Sequence, residues 1–434
     1  MVTSRSNSGI INLARGARQP ALVKMNNYNT IYSKIQDARE VLKDIKHVTR
    51  LDSSSTFSRI TGGNVFLKLE NLQKTGSFKV RGAAYAMSQL TDKEKKAGVI
   101  AASAGNHAQG VAYAATRLGL KSTIVMPIFS PVAKIQATQG YGANIILHGT
   151  AFDDALGHAR ETAEKSGATF LHPFNDEDVI AGQGTIGLEI LNECPDVDVI
   201  AVPVGGGGLI SGIAIAVKEQ RPDVQVYSVE AASAASMKAS IENGKITKVE
   251  NLDTCCDGIA VKKPGRITFR IANNLLSGAV TVEELEVTRT LFMLLERAKI
   301  VVEPAGCVGL AAFHHKKIDI KKKNAVAVLS GGNIDMSFLS RVVEKELFRL
   351  GRSVRVRGSI LDRIGSMSMI LSIVAESGVS IIEINQDRFD PDIPPNRAEL
   401  EMILEVPDEK AVERMLKMLK EKGLDFRIFE DSNP

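Results

Sequence analysis

Residues 197–219 read VDVIAVPVGGGGLISGIAIAVKE. The opening VDVIAVPV is an almost unbroken apolar run of strand length, and LISGIAIAVKE reads as a helix. A continuous apolar strand suits a parallel sheet covered on both faces, so this stretch argues for an α/β fold. Between the two elements stand Gly205, Gly206, Gly207 and Gly208. Lacking side chains, they let backbone N–H groups converge at a helix N-terminus, where the macrodipole favours an anion such as phosphate. No Gly-Lys-Ser/Thr follows, and G-x-G-x-x-G cannot be threaded through the loop, which excludes the two commonest nucleotide-binding turns. Close packing of helix on strand is the competing reading, but four successive glycines exceed what packing requires.

Outward from this unit, short β-rich runs alternate with helical stretches. GNVFLKLE (63–70), GVIAAS (98–103), STIVMP (122–127), ANIILHG (143–149), ATFLHP (168–173), VQVYSVE (224–230) and AVAVLS (325–330) read as strands. AFDDALGHARETAEKSG (151–167) is an amphipathic helix. Ligands of such a fold bind at the carboxyl ends of the strands. After about residue 345 the pattern changes to strand 354–361, helix 366–377, strands 379–389 and 398–407, helix 409–423 and strand 424–430. That order is βαββαβ, a ferredoxin-like unit and a second domain.

The length of 434 residues exceeds the ~250–300 at which single cores stop growing, which agrees with more than one folding unit. Hydrophobic residues at 44% and charged residues at 24% exclude collagen, coiled coil and global disorder. A net charge of +4, no Trp and 5% aromatics supply neither an electrostatic nor a stacking footprint for nucleic acid. No apolar run reaches the ~18 residues of a membrane span. Cys194, Cys255, Cys256 and Cys307 form no C-x-x-C pair, so neither a zinc site nor a disulfide framework is expected, and a reducing, cytoplasmic setting fits. Residues 1–36 hold five Lys/Arg and no acid. Within them, 1–30 read as a basic tail, with organellar targeting by residues 1–24 as the alternative.

Three further clusters carry chemistry. NLQKTGSFKVRGA (71–83) sets Lys79 between Phe78 and Val80 at a helix start, where desolvation would lower its pKa and free the amine for Schiff-base chemistry. A lysine snorkelling over apolar neighbours is the bland alternative. SAGNHAQG (103–110) follows a strand and opens a helix, so Ser103, Ala104, Gly105, Asn106 and His107 can offer amides, a hydroxyl and a carboxamide to a carboxylate. His107 taken alone reads as a structural histidine rather than an acid or base. VLSGGNID (328–335) again ends a strand with a hydroxyl, two glycines and an amide. All the clusters follow strand ends, as one cleft requires.

Six ordered motifs then carry a resemblance: Ser77-Phe78-Lys79-x-Arg81-Gly82-Ala83, Ser103 to Gln109, the tetraglycine loop, Asp257 to Val261, Glu303-Pro304-Ala305-Gly306, and Ser330-Gly331-Gly332-Asn333. Together they resemble the threonine dehydratases (threonine ammonia-lyases) among the tryptophan-synthase-β-like, fold-type II pyridoxal-phosphate enzymes, over residues 35–345. The resemblance implies a two-lobed catalytic domain over 31–345 with a smaller lobe inserted at about 96–172. It also implies an ACT-like regulatory domain over 350–434 with an amino-acid effector near LDRIG (361–365), and a homo-oligomer, dimer or tetramer. Lys79 would carry pyridoxal 5'-phosphate and act as the Cα base, with Phe78 beside the ring. Asn106 would bond the 3-oxygen, Gly205 to Gly208 with Leu209 the phosphate, and Ser330 would face the pyridine nitrogen. The substrate carboxylate would rest on Ser103 to His107.

The implied reaction is deamination of L-threonine to 2-oxobutanoate and ammonia, with L-serine a poorer substrate. Serine dehydratase or racemase is the nearest alternative, but racemases of this kind carry a serine where this chain has Ala104, and a methyl cannot carry a proton. A non-catalytic amino-acid sensor is the alternative from another class; an intact Lys79 and phosphate loop argue against it. Glu230 and Ala234 stand where some relatives hold a divalent cation, but Ser236 replaces the acidic partner, so no metal is expected. Cys256 reads as a buried structural thiol.

Overall fold

The computed structural model describes residues 28–429. Of the basic segment 1–30, residues 1–27 lie outside the described residues, as does the targeting stretch 1–24. Asn29 and Thr30 already belong to the first helix, Asn29–Val41, which therefore starts inside the segment expected to be tail. Ile31, Ile35 and Ala38 bury one face of that helix, and the burial explains the early start. The chain divides into two compact units between Asn333 and Ile334.

The first unit holds ten strands among the described residues: β1 Leu51–Ser53, β2 Asn64–Lys68, β3 Val99–Ala102, β4 Ser122–Met126, β5 Asn144–Leu147, β6 Thr169–Phe170, β7 Val199–Pro203, β8 Gln225–Ala231, β9 Gly278–Val282 and β10 Asn324–Val328. Six form one sheet in the order β1-β2-β10-β7-β8-β9, parallel except for the β1–β2 pair. The other four form an all-parallel sheet, β5-β4-β3-β6. Because β3 to β6 fall between β2 and β7 in the chain, the smaller sheet is an insertion, and the unit has two lobes.

Burial follows strand position. All five residues of β7 and all four of β3 are buried, as expected of strands covered on both faces, whereas edge strand β1 has none buried. Helices Glu177–Glu193 and Gly208–Gln220 pack back to back through Gly184 and Gly212. A Cβ at Gly212 would lie 2.3 Å from the Ile180 carbonyl oxygen and 2.5 Å from the Gly184 nitrogen, so only glycine allows this approach. The register of β10 against β2 and β7 sets Val326 beside Phe66 and Ile200, which aligns the carboxyl ends of the three central strands.

The second unit runs helix Met336–Arg349, β11 Ser353–Leu361, helix Ser366–Glu376, β12 Ser380–Asp387, β13 Arg397–Glu405, helix Glu409–Glu421 and β14 Phe426–Ile428. Its antiparallel sheet has the order β12-β13-β11-β14, the ferredoxin-like arrangement of βαββαβ. In β13, buried Ala398, Leu400, Met402 and Leu404 alternate with more exposed residues, so one sheet face meets Ile370, Val374, Met415 and Leu419 of the two helices. Helix Met336–Arg349 groups with this unit, ahead of the boundary read near 345–350, because it packs on β11 and buries Val342 and Glu346. No helix among the described residues is long and apolar enough to cross a membrane.

Candidate active site

Four loops leave the carboxyl ends of β2, β3, β7 and β10, and these are the four clusters read from the sequence. After β2 the chain makes a tight turn at Gly76 (φ +70) and enters helix Lys79–Ser88 with Phe78 as its N-cap. Ser77 bridges antiparallel to Gly331, and the Phe78 N–H donates to the Ser330 carbonyl oxygen at 3.2 Å. Ser330, in turn, donates its N–H to the Gly306 carbonyl oxygen at 3.2 Å. The β10 loop and the lysine loop therefore form one strip. Gly110, on helix Asn106–Arg117, lets that helix approach closely: a Cβ there would lie 3.1 Å from the Lys79 Cβ.

The Lys79 amine has no carboxylate within ion-pair distance among the described residues; it reaches the Pro173 carbonyl oxygen at 3.4 Å and lies 5.0 Å from the Phe78 ring centre. Desolvation pushes its pKa down to about 8, against a smaller opposing pull from Glu303. Two residues on, buried Arg81 pins the same helix. Its Nε and Nη2 donate to Glu70 at 2.8 and 2.7 Å, and Nη1 and Nη2 donate to Glu189 at 2.6 and 2.8 Å.

Pro173 begins a connection that the sequence reading treated only as a strand end. His172 Nδ1 accepts the N–H groups of Phe174 and Asn175 at 3.3 and 2.9 Å, which requires a neutral imidazole. Burial, with nearby Arg160 and Lys79, pushes His172 down to about 4 and keeps it so. Phe174 then lies on the tetraglycine loop, where a Cβ at Gly206 would fall 2.2 Å from its ring. The close-packing reading of these glycines is thus met. Gly207 takes φ +92 and caps helix Gly208–Gln220 without a side chain, while Thr268 Oγ1 donates to the Gly206 carbonyl oxygen at 2.6 Å. The first-turn N–H groups, those of Gly208 and Leu209 included, lack intrahelical partners and offer a phosphate cradle.

In the β3 loop, Ser103, Ala104, Gly105 and Asn106 are half-buried, and Gly105 caps the next helix without a side chain. Ser103 Oγ accepts the Gly105 N–H at 3.1 Å. His107 Nε2 meets the Leu171 carbonyl oxygen at 3.1 Å, and burial together with Lys79 pushes it down to about 3. Asn106 Nδ2 donates to Glu303 Oε1 at 2.8 Å, and Asn106 Oδ1 accepts from Asn333 Nδ2 at 2.7 Å. Burial and Asp257 push Glu303 up to about 8. The sequence had flagged Glu303 and Asn333 only as motif letters; their meeting over Asn106, 197 and 227 residues away, is a tertiary fact.

Elsewhere, Glu230 accepts the N–H groups of Met237 and Lys238 at 2.8 and 2.7 Å, so its carboxylate caps helix Ser236–Asn243. Cys256 and Cys307 are buried, Cys255 partly so.

A desolvated lysine with no carboxylate at ion-pair distance among the described residues, a glycine cradle and an oriented carboxamide suit an aldehyde-bearing, phosphorylated cofactor. Fold and site together define a two-lobed, fold-type II pyridoxal-phosphate enzyme. The chain belongs to the pyridoxal-phosphate dependent enzyme family, which it matches over residues 42–331. It is 48% identical over 394 residues to the L-threonine ammonia-lyase of Thermotoga maritima, covering 91% of this chain and 98% of that protein. Among solved structures, the processed form of threonine deaminase isoform 2 from Solanum lycopersicum superposes with a TM-score of 0.70 at 38% identity, over 73% of this chain and 93% of that one. Serine racemase from Dictyostelium discoideum gives 0.67 at 34% identity, over 70% and 98%.

Proposed function

We propose that this chain is a threonine ammonia-lyase that converts L-threonine to 2-oxobutanoate and ammonia, with slower turnover of L-serine. The observation that carries the reading is the desolvated Lys79 amine, without a carboxylate at ion-pair distance among the described residues, which reaches Pro173, next to the Phe174 that packs on the tetraglycine loop. Pyridoxal phosphate, when bound, supplies an electron sink conjugated to the substrate Cα. Lys79 would hold the cofactor, and its neutral amine would take the Cα proton. The amides of residues 103–107 receive the substrate carboxylate at the N-terminus of helix Asn106–Arg117. Gly205 to Gly208 and Leu209 would hold the phosphate, with Phe78 beside the ring, Asn106 as donor to its 3-oxygen and Ser330 toward its nitrogen. A neutral serine hydroxyl would not hold that nitrogen protonated, a setting that would favour loss of the β-hydroxyl over transamination. The enamine set free hydrolyses to the oxo acid and ammonia.

Ala104 separates this reading from racemisation, because its methyl has no proton to deliver to the face of Cα opposite Lys79. In the second unit, the ferredoxin-like sheet and the glycine turn at Gly365 before helix Ser366–Glu376 support an ACT-like amino-acid effector site. A homo-oligomer completes the proposal. The test is an oxo-acid assay with L-Thr, L-Ser and D-Ser beside a visible spectrum. Lys79→Ala should lose both turnover and the visible band of the bound cofactor; a variant that keeps them refutes the assignment.

A further inference from the structure

We propose that Glu303 is a positioning residue: together with Asn333 it clamps the Asn106 carboxamide in the one orientation that leaves an Nδ2 hydrogen for the cofactor's 3-oxygen. The inference rests on the pyridoxal-phosphate reading and on Asn106 as the 3-oxygen partner.

A primary amide can turn by 180° with little intrinsic preference, and the two orientations are opposites to an oxygen anion: one presents a donor, the other an acceptor. Here both ends are held. Asn106 Nδ2 donates to Glu303 Oε1 at 2.8 Å, which uses one of its two hydrogens. Asn106 Oδ1 accepts from Asn333 Nδ2 at 2.7 Å, and Asn333 Nδ2 also donates to the Thr75 carbonyl oxygen at 2.9 Å. With both Asn333 hydrogens committed, a flipped Asn106 would set donor against donor there, so the Asn333 contact fixes which end of the amide faces Glu303.

The site is shaped for this pair. Gly331 packs against it so closely that a Cβ would fall 2.3 Å from Glu303 Oε1 and 3.1 Å from Asn106 Nδ2. Glu303 opens helix Pro304–His314, but its side chain makes no cap bond, so the carboxyl is free to serve Asn106. The charged groups around it are Asp257, which opposes ionisation, and Lys134 and Lys79, which favour it. Placing a carboxyl in this desolvated position is costly, and its one side-chain hydrogen bond among those described is to Asn106.

Because Glu303 acts through Asn106, the test is a double-mutant cycle read as affinity of the apoprotein for pyridoxal phosphate by equilibrium dialysis, with the urea midpoint of each apoprotein alongside. Glu303→Ala should raise the dissociation constant about tenfold, the size of one buried hydrogen bond. Glu303→Gln, whose carbonyl oxygen can accept the same bond, should stay within about threefold. In the Asn106→Ala background, Glu303→Ala should add less than about twofold. If Glu303→Ala fails to fold, Glu303→Met fills the same volume without the acceptor and enters the same cycle. A further tenfold loss in the Asn106→Ala background, or wild-type affinity in the Ala and Met variants, overturns the proposal. Failure of the wild-type protein to take up the cofactor would instead refute the functional reading.

Discussion

Removing Arg81 should destabilise the first unit by about 3–5 kcal/mol, the usual consequence of stripping one partner from a buried ion pair. Arg81, Lys68 and Glu70 are fully buried, and six charged groups meet there: Arg81, Lys68 and Lys46 against Glu70, Glu189 and Glu193. In Arg81→Met, Glu189 keeps Lys46 and Lys68, each at 2.9 Å, and Glu193 keeps Lys68 at 2.9 Å. Glu70 keeps only the Thr49 hydroxyl at 2.5 Å among the bonds described, so nearly all of the loss falls on one uncompensated carboxylate. The second substitution is therefore specific: Arg81→Met with Glu70→Gln should recover more than half of the loss, since neutralising the orphan removes its desolvation penalty. With no Trp in the chain, the assay is urea unfolding followed by far-ultraviolet circular dichroism, with and without pyridoxal phosphate. A single variant that costs under about 1 kcal/mol, or a double variant no better than the single, would refute the reasoning. Because Arg81 stands two residues after Lys79, the single variant should also weaken cofactor affinity.

Three other outcomes are expected. The rate at which apoprotein takes up pyridoxal phosphate should rise about tenfold per pH unit below about 8 and then level off, because only the neutral Lys79 amine reacts and its pKa lies near 8; stopped-flow growth of the visible band that instead inflects near 10 would show an ordinary, solvated lysine. Ala104→Ser should bring measurable D-serine formation from L-serine in chiral chromatography, since general acid/base transfer contributes ~10²- to 10⁴-fold when a proton carrier is placed; no D-serine from a threonine-active variant would remove Ala104 as the discriminating position. Ending the chain after Asn333 should leave threonine turnover largely intact and abolish its response to isoleucine or valine, a coupling typically of ~1–3 kcal/mol; an unchanged response in the shortened protein would move the effector site out of the second unit.

The sequence by itself determined the elements and the chemistry that depends on local pattern. Apolar strand runs followed by glycines or hydroxyls at helix starts specify parallel α/β architecture and anion-ready helix N-termini, because both depend on residues close in the chain. The βαββαβ order of the second unit was equally legible, down to the alternation in β13 that fixes its inner face. Tertiary structure alone decided what stands across from what. Lys79 becomes a low-pKa amine only because distant segments, Pro173 among them, enclose it, and Glu303 meets Asn106 only when the start of helix Pro304–His314 comes against the β3 loop. The same holds for Glu230, whose two oxygens the fold gives to backbone N–H groups at a helix start. Burial and long-range hydrogen bonds are properties of neighbours in space, and no spacing along a single chain encodes them.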